Sequence, residues 1–284
     1  MTSLAAAPPL PFYLPAAHGA RLCIYHAPAP GQRCLGGLVY VAPFAEEMNR
    51  SRRMAALQAQ ALAQAGVGVL LIDLYGCGDS AGELAEASWA MWRDDVSLAI
   101  DWLRQRTGAP VGLWGLRLGA LLALEVARRR ATELALLLLW NPVVDAQAYM
   151  TQFLRLQLAA GLGNAGPQAA SSVAALRAQL QQGQLLEVGG YELNGALVAS
   201  IDDLRADAPP PPELPLHWLE LVRDPALPLP PGCARLAQAW SVRPETVAGP
   251  AFWSTPEVTT CAALIEASCT RVRAALEHAH AHRL

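Results

Sequence analysis

Val111-Gly-Leu-Trp-Gly115-Leu-Arg117-Leu-Gly119-Ala120 decides the fold. A short apolar strand runs straight into an apolar helix, with glycines two residues before and two after the centre of the turn. This is the layout of the Gly-x-Ser-x-Gly turn, which thrusts a nucleophile out at the carboxyl edge of a sheet. Backbone and helix pass close to one another in such a turn, and Gly115 and Gly119 leave the room. At the centre, where the motif carries serine, stands Arg117. A guanidinium stays protonated at physiological pH and has no lone pair for attack on a carbonyl, which excludes covalent catalysis by this residue.

Outward from the turn, 35–42 and 67–74 are continuous apolar runs bounded by glycine or proline, as expected of strands buried on both faces. Between them, 52–65 reads as a helix with Met54, Leu57 and Ala61 on one side, ended by Gly66. Residues 86–106 carry Trp89, Trp92, Val96, Ile100 and Leu103 at helical spacing, 110–114 is the strand before the turn, and 118–130 followed by 134–140 repeats the unit. Such alternation predicts a parallel sheet with right-handed crossovers. From Pro142 to Pro212 the pattern is mostly helical, punctuated by glycine around 161–166 and closed by a proline run, and it reads as an inserted cap. Strand 214–222, helix 232–240, strand 243–248 and a closing helix over 257–279 follow. The expectation is one domain over 1–284 with the α/β-hydrolase fold: an eight-stranded, mostly parallel sheet, helices on both faces, and a helical cap over 142–212.

Composition bounds the rest. With 284 residues, 53% apolar and 16% charged, the chain is long enough to bury a large core. A net charge of −3 gives no electrostatic reason to expect nucleic acid, and Arg128, Arg129 and Arg130 read as the wet face of a helix end. Six cysteines lack any Cys-x-x-Cys spacing and suit buried apolar positions in a reducing compartment, so neither disulfides nor zinc is expected, nor any other cofactor. Apolar runs such as 134–140 fall far short of the roughly 20 residues of a membrane span. The amino terminus lacks a basic segment before its apolar stretch, so a cytoplasmic location is expected. His278, His280 and His282 alternate with alanine, which does not place them on one helical face; a frayed tail is expected there rather than a metal site.

In this architecture ligands sit beyond the carboxyl ends of the strands. The loop after 35–42 is Pro43-Phe44-Ala-Glu46-Glu47-Met-Asn49, where an oxyanion-hole N–H would originate, and adjacent carboxylates oppose a developing oxyanion. The loop Asp73-Leu-Tyr-Gly76-Cys77-Gly78-Asp79-Ser80 reads as a tight turn, and Cys77 has no histidine near it in sequence to activate it. Arg117 opens a helix whose free N–H groups already make the surroundings positive, so an anion should answer it. Glu46 and Glu47 are the nearest by topology, and an ion pair from that loop to the turn is expected. Either the pair plugs a dead site or Arg117 anchors a ligand carboxylate or phosphate. In triad order, Asp224 after strand 214–222 stands in the place of the acid, but 249–256 contains Trp253 and no histidine, and His217 lies at the wrong end of its strand. The expected site is therefore Glu46, Glu47, Arg117 and Asp224, with Phe44, Asn49, Asp79, Leu118 and Trp253 around them.

Pro43-Phe-Ala-Glu-Glu-Met-Asn-Arg-Ser-Arg-Arg-Met54, Asp73-Leu-Tyr-Gly-Cys-Gly-Asp-Ser80, Gly115-Leu-Arg-Leu-Gly119 and Leu139-Trp-Asn-Pro-Val-Val-Asp145 together resemble the exosortase A system-associated hydrolase 2 family. The resemblance covers nearly the whole chain. It implies the α/β-hydrolase fold and a genomic association with exopolysaccharide biosynthesis and exosortase sorting in Gram-negative bacteria; "hydrolase" in that name rests on fold. The leading expectation is a protein that binds an acyl or anionic intermediate without serine-triad chemistry. Two others stand beside it. One is an ester or thioester hydrolase, or acyl transferase, with Glu46 or Glu47 as general base, Arg117 as anion stabiliser and the Leu118 N–H assisting. The other is a pure interaction protein, the partner of an active homologue encoded nearby, with its aromatic and apolar cap as the docking surface; the resemblance implies a partner from the exosortase and polysaccharide system.

Overall fold

A computed structural model describes residues 7–161 and 172–281. The chain opens with a hairpin, β1 (Leu10–Ala16) and β2 (Gly19–His26), followed by β3 (Gly36–Val41), α1 (Glu46–Gln64) and β4 (Val67–Ile72). Next come α2 (Trp89–Thr107), β5 (Val111–Leu116), α3 (Leu118–Arg129) and β6 (Leu134–Trp140). Between β6 and the next sheet strand lie α4 (Ala146–Gly161), α5 (Val173–Gln181), the small hairpin β7 (Leu186–Val188) and β8 (Tyr191–Leu193), and α6 (Gly195–Asp202). The chain then returns through β9 (Leu216–Val222), α7 (Pro231–Trp240), β10 (Glu245–Ala248) and α8 (Ala262–Ala281).

Eight strands form one sheet in the order β1-β2-β4-β3-β5-β6-β9-β10. The two outer pairings on the β1 side are antiparallel and the others parallel, the arrangement of an α/β-hydrolase. All six residues of β3 and of β5 are buried, because helices cover both faces. Alternate residues feed two cores: Val39, Leu113 and Leu137 pack with α2, α3 and α7, while Leu38, Trp114 and Leu136 pack with α1 and α8. The second core holds the aromatic row Tyr40, Trp114, Trp140 and Phe252, with successive ring centroids 4.2, 4.6 and 6.1 Å apart. Such tilted and edge-on pairs add to the apolar burial that holds the helices on.

Boundaries depart from the sequence expectation at three places that matter. Helix α1 starts at Glu46 and not at residue 52, so the two glutamates form its first turn, where the helix dipole favours carboxylates. The β1–β2 hairpin has no counterpart among the segments read from the sequence, because Leu10, Tyr13 and their neighbours are edge residues, mostly exposed, without a continuous apolar run. Helix α8 continues through His278 and His280, the latter 3.4 Å from Arg33 Nη2, in place of a frayed tail. The glycine-punctuated stretch at 162–166, the first residues of the amino terminus and His282 lie outside the described residues. Among the described residues no helix is long and apolar enough to cross a membrane, and no three His, Cys, Asp or Glu side chains converge as metal ligands would.

Candidate functional site

Arg117 sits between β5 and α3 at φ 55° and ψ −118°. A side chain at positive φ is held there only by its surroundings, at a strain on the order of 1–3 kcal/mol. The restraints are visible. Arg117 N–H donates to Trp140 O at 3.1 Å, and Arg117 O accepts from Ala120 N and Val143 N at 3.1 and 3.3 Å. A Cβ on Gly115 would lie 2.5 Å from Ala120 Cα, and one on Gly119 would lie 2.3 Å from Ala42 O, so both flanking positions exclude any side chain. The neighbouring strand β3 ends in the same way: Ala45 has φ 52° and ψ −128° and caps α1. Two strained turns thus stand side by side, each opening a helix toward the same cleft.

The Arg117 side chain, 24% exposed, lies in that cleft. Its Nε is 3.4 Å from Glu47 Oε1, and Nη1 donates to Asn141 O at 3.3 Å. Its guanidinium lies 5.3 Å from the Trp253 ring centroid and 5.8 Å from that of Tyr149, positions that favour a cation over an aromatic face. Tyr149 OH donates to the other Glu47 oxygen at 3.0 Å. Arg117 Nη2 donates to nothing among the described residues.

The expected ion pair therefore involves Glu47. Burial raises the Glu47 carboxyl above the ordinary glutamate value, and Arg117 and Tyr149 only partly offset this. Glu46 behaves in the opposite sense. It is exposed, and hydrogen bonds from Asn49 (3.2 Å), Arg50 (3.3 Å) and Tyr191 (3.2 Å) hold its carboxyl below the usual value, the Asn49 contribution being largest. Arg50 also reaches the Ser254 and Thr255 carbonyls at 3.2 and 2.9 Å, tying α1 to the segment that carries Trp253.

The cleft has a volume of about 330 Å³. Phe44, Phe153, Leu156 and Trp253 supply apolar wall, and Glu46, Glu47, Arg50 and Arg117 supply charge. Of the residues singled out by sequence, Phe44, Glu46, Glu47, Arg117 and Trp253 line it together, Asn49 adjoins it through Glu46, and Leu118 is buried directly behind Arg117.

Two others do not join them. Asp224 is exposed, outside the cleft lining, its carboxylate accepting from Ala226 N at 2.9 Å; Asp-Pro makes an ordinary turn here. Asp79 is exposed in the turn after β4, where its N–H donates to Asp73 at 3.3 Å. No histidine lines the cleft, and Trp253 occupies the segment that would carry one. Burial, with lesser contributions from Asp73 and Asp95, pushes the Cys77 thiol up to about 12, so it offers no thiolate near neutrality.

Sequence reading missed Tyr149, Phe153, Asn141, Tyr191 and Glu220. The first two, with Leu156, are spaced four and then three residues apart on α4, a signal of one helical face. Asn141, at φ 42°, accepts from and donates to Leu221 and fixes the end of β6 against β9. Glu220 is buried, held by Trp218 Nε1 at 2.7 Å and Cys233 Sγ at 3.2 Å, and desolvation raises its carboxyl. Nothing in the local sequence marks either residue.

The model of the Hydrolase_4 family, described as serine aminopeptidase, S33, matches residues 33–185, just over half of the chain and inclusive of the turn at Arg117. No curated protein matches in sequence. Among solved structures, Est1E from Butyrivibrio proteoclasticus with ferulic acid bound is similar at 15% identity and a TM-score of 0.59, covering 93% of this chain and 96% of that one. Mouse alpha/beta hydrolase domain-containing protein 10 gives 15% and 0.62, covering 95% and 99%. A soluble variant of monoglyceride lipase from Saccharomyces cerevisiae, in complex with a substrate analogue, gives 11% and 0.64, covering 97% of each. At these identities the likeness is one of fold.

Proposed function

Because this chain belongs to the Hydrolase_4 family of serine aminopeptidase type, within the α/β-hydrolases, and carries a permanent cation where that turn presents an attacking oxygen, we propose that it binds an acyl carboxylate or another anionic intermediate and carries out no serine-triad chemistry. The observation that carries this reading is the unpartnered Nη2 of Arg117 in a cleft with aromatic and aliphatic walls. The chain of the ligand lies against Phe44, Phe153 and Leu156, and its anionic head takes Nη2, assisted by the Leu118 N–H at the start of α3. Segment 142–212, which supplies Tyr149, Phe153 and Leu156, acts as the cap of a single domain. The resemblance to the exosortase A system-associated family supports a cytoplasmic role beside exopolysaccharide biosynthesis, with the protein partner drawn from that system.

Calorimetric titration with octanoate tests the anchor. Loss of a charge-assisted hydrogen bond of about 1.5–3 kcal/mol makes Arg117→Ala bind at least about tenfold more weakly. Equal affinity of variant and parent removes Arg117 as anchor and leaves it a plug.

One observation favours a second reading. A glutamate whose pKa is raised by burial suits a general base, and Glu47, not Glu46, has that property. In this reading Glu47 activates water against an ester or thioester while Arg117 holds the developing oxyanion. Turnover of a p-nitrophenyl ester panel that survives Glu47→Gln unchanged rejects it.

A further inference from the structure

Behind Phe44, seen from the Arg117 cleft, lies a second and wholly apolar chamber. Its walls are Met48 of α1, Leu74 of the turn after β4, Trp89 and Trp92 of α2, and Leu118 and Leu122 of α3, all buried. Neither indole N–H is left for a guest: Trp89 Nε1 donates to Glu125 at 2.6 Å and Trp92 Nε1 to Tyr75 O at 3.0 Å. The free space is about 20 Å³, where a single water needs roughly 10–15 Å³. Walls of this kind give water nothing to bond, and a space so small takes no carbon chain as it stands.

Phe44 lines both the chamber and the cleft. Its ring packs edge-on against Phe153 of the cleft wall, with centroids 5.1 Å apart, and tilted against Trp92 of the chamber wall at 6.1 Å. The ring therefore stands as the partition between them. It is also fixed relative to the charged end of the cleft. Phe44 immediately precedes Ala45, the strained residue that caps α1, and the second residue of that helix is Glu47, the partner of Arg117. Anion anchor and apolar partition are thus held by the two adjoining turns, at a separation that the backbone sets.

We propose that Phe44 determines the length of the acyl chain this protein accepts: a medium-chain carboxylate anchored at Arg117 ends against the Phe44 ring, and carbons beyond that point gain no burial. The inference rests on the reading of the cleft as the seat of an acyl chain. The cleft volume of about 330 Å³ stands at the small end of ligand pockets, which run from about 300 Å³ upward, in keeping with a chain of moderate length. Removing the ring would join chamber to cleft and add both the space of the phenyl group and an apolar wall from α2 and α3.

Calorimetric titration with octanoate, decanoate and dodecanoate tests it. On the parent protein affinity is expected to level off along the series. On Phe44→Ala the dodecanoate-over-octanoate preference is expected to exceed the parent's by at least about tenfold, since each further buried carbon tightens binding about fourfold. Because Phe44→Ala truncates a buried ring, Phe44→Leu, which keeps more of the apolar volume, is titrated beside it and should show an intermediate preference. Leu122→Phe, added to Phe44→Ala, refills the chamber from α3 and should return the preference to the parent's. The same preference in the parent and both Phe44 variants, a parent affinity that climbs about fourfold per carbon through dodecanoate, or a preference that Leu122→Phe leaves high would each overturn the proposal. The two readings fail separately. Equal octanoate affinity of Arg117→Ala and parent removes the anchor while the dependence on Phe44 stands, whereas weakened binding in Arg117→Ala with no dependence on Phe44 removes the length limit alone; no binding of any of the three acids to the parent removes both.

Discussion

Arg117 and Glu47 share one charge balance, and a ligand anion must enter it. While Glu47 is ionised it neutralises the guanidinium; once protonated, it leaves Arg117 with its full charge for the ligand. Because burial raises the Glu47 pKa, that exchange begins above the ordinary value of 4.5. Octanoate affinity is therefore expected to rise as pH falls from neutrality toward the ordinary glutamate range, and the dependence to vanish in Glu47→Gln; a parent protein with a flat profile contradicts the linkage. Stability carries the same sign. A carboxyl whose folded pKa is raised contributes stability below its unfolded pKa and loses it as pH rises through the folded one. Chemical denaturation between about pH 4.5 and 7.5 should accordingly show Glu47→Gln gaining on the parent as pH increases. The turn itself makes a steric prediction. In Gly119→Ala the new methyl meets the carbonyls of Ala42 and Val41 at 2.3 and 2.4 Å, backbone atoms with no room to yield. A loss of about 2–3 kcal/mol is expected from urea denaturation.

At the scale of elements, β2 is fixed to α2 by a pair that the sequence did not advertise. Arg21 Nε bonds Asp95 at 2.7 Å with side chains 1% and 4% exposed, and Asp95 also accepts from Tyr75 N at 2.8 Å. The other guanidinium nitrogens close on the carbonyls of Gly19 and Ala17 in the β1–β2 turn. Arg21→Ala leaves a buried carboxylate without its counter-ion and should destabilise by about 3–5 kcal/mol, whereas an exposed pair such as Arg205–Asp207 is worth little. Equal denaturation midpoints for Arg21→Ala and Arg205→Ala would show that the burial has been misjudged. The parallel core strands were legible because burial on both faces demands unbroken apolar runs. The β1–β2 hairpin was not, since the edge strand β1 is mostly exposed, carries no such run and takes its hydrogen bonds from β2, which joins the sheet through β4. Glu46 and Glu47 were read as loop for a related reason: two charges interrupt an apolar pattern, although the first helical turn is where carboxylates are favoured.

For the molecule as a whole, the segment between β6 and β9 shares one apolar core with the sheet. Met150, Leu154, Leu176, Leu197 and Ile201 belong to the same cluster as Val39, Leu113 and Leu137, and Asn194 donates to the carbonyls of Ala85 and Ala87 across the join. Calorimetry should therefore show one cooperative transition; a separate early melt of 142–212 would make it an independent unit. The sequence by itself determined the strand–helix alternation, the sharp turn and the substitution of arginine at its tip, because these depend on periodicity and on glycine spacing within a few residues. It also determined that an anion must face Arg117, since a cation at a helix start is unfavourable wherever the helix lies. Which carboxylate answers, that Asp224 turns to solvent, and that Tyr149, Phe153 and Trp253 gather around the Arg117 cleft were decided only by tertiary structure. Those relations join residues that are tens to hundreds of positions apart, and their proximity is set by sheet order and by how far each helix reaches over the sheet, neither of which is written in any local pattern.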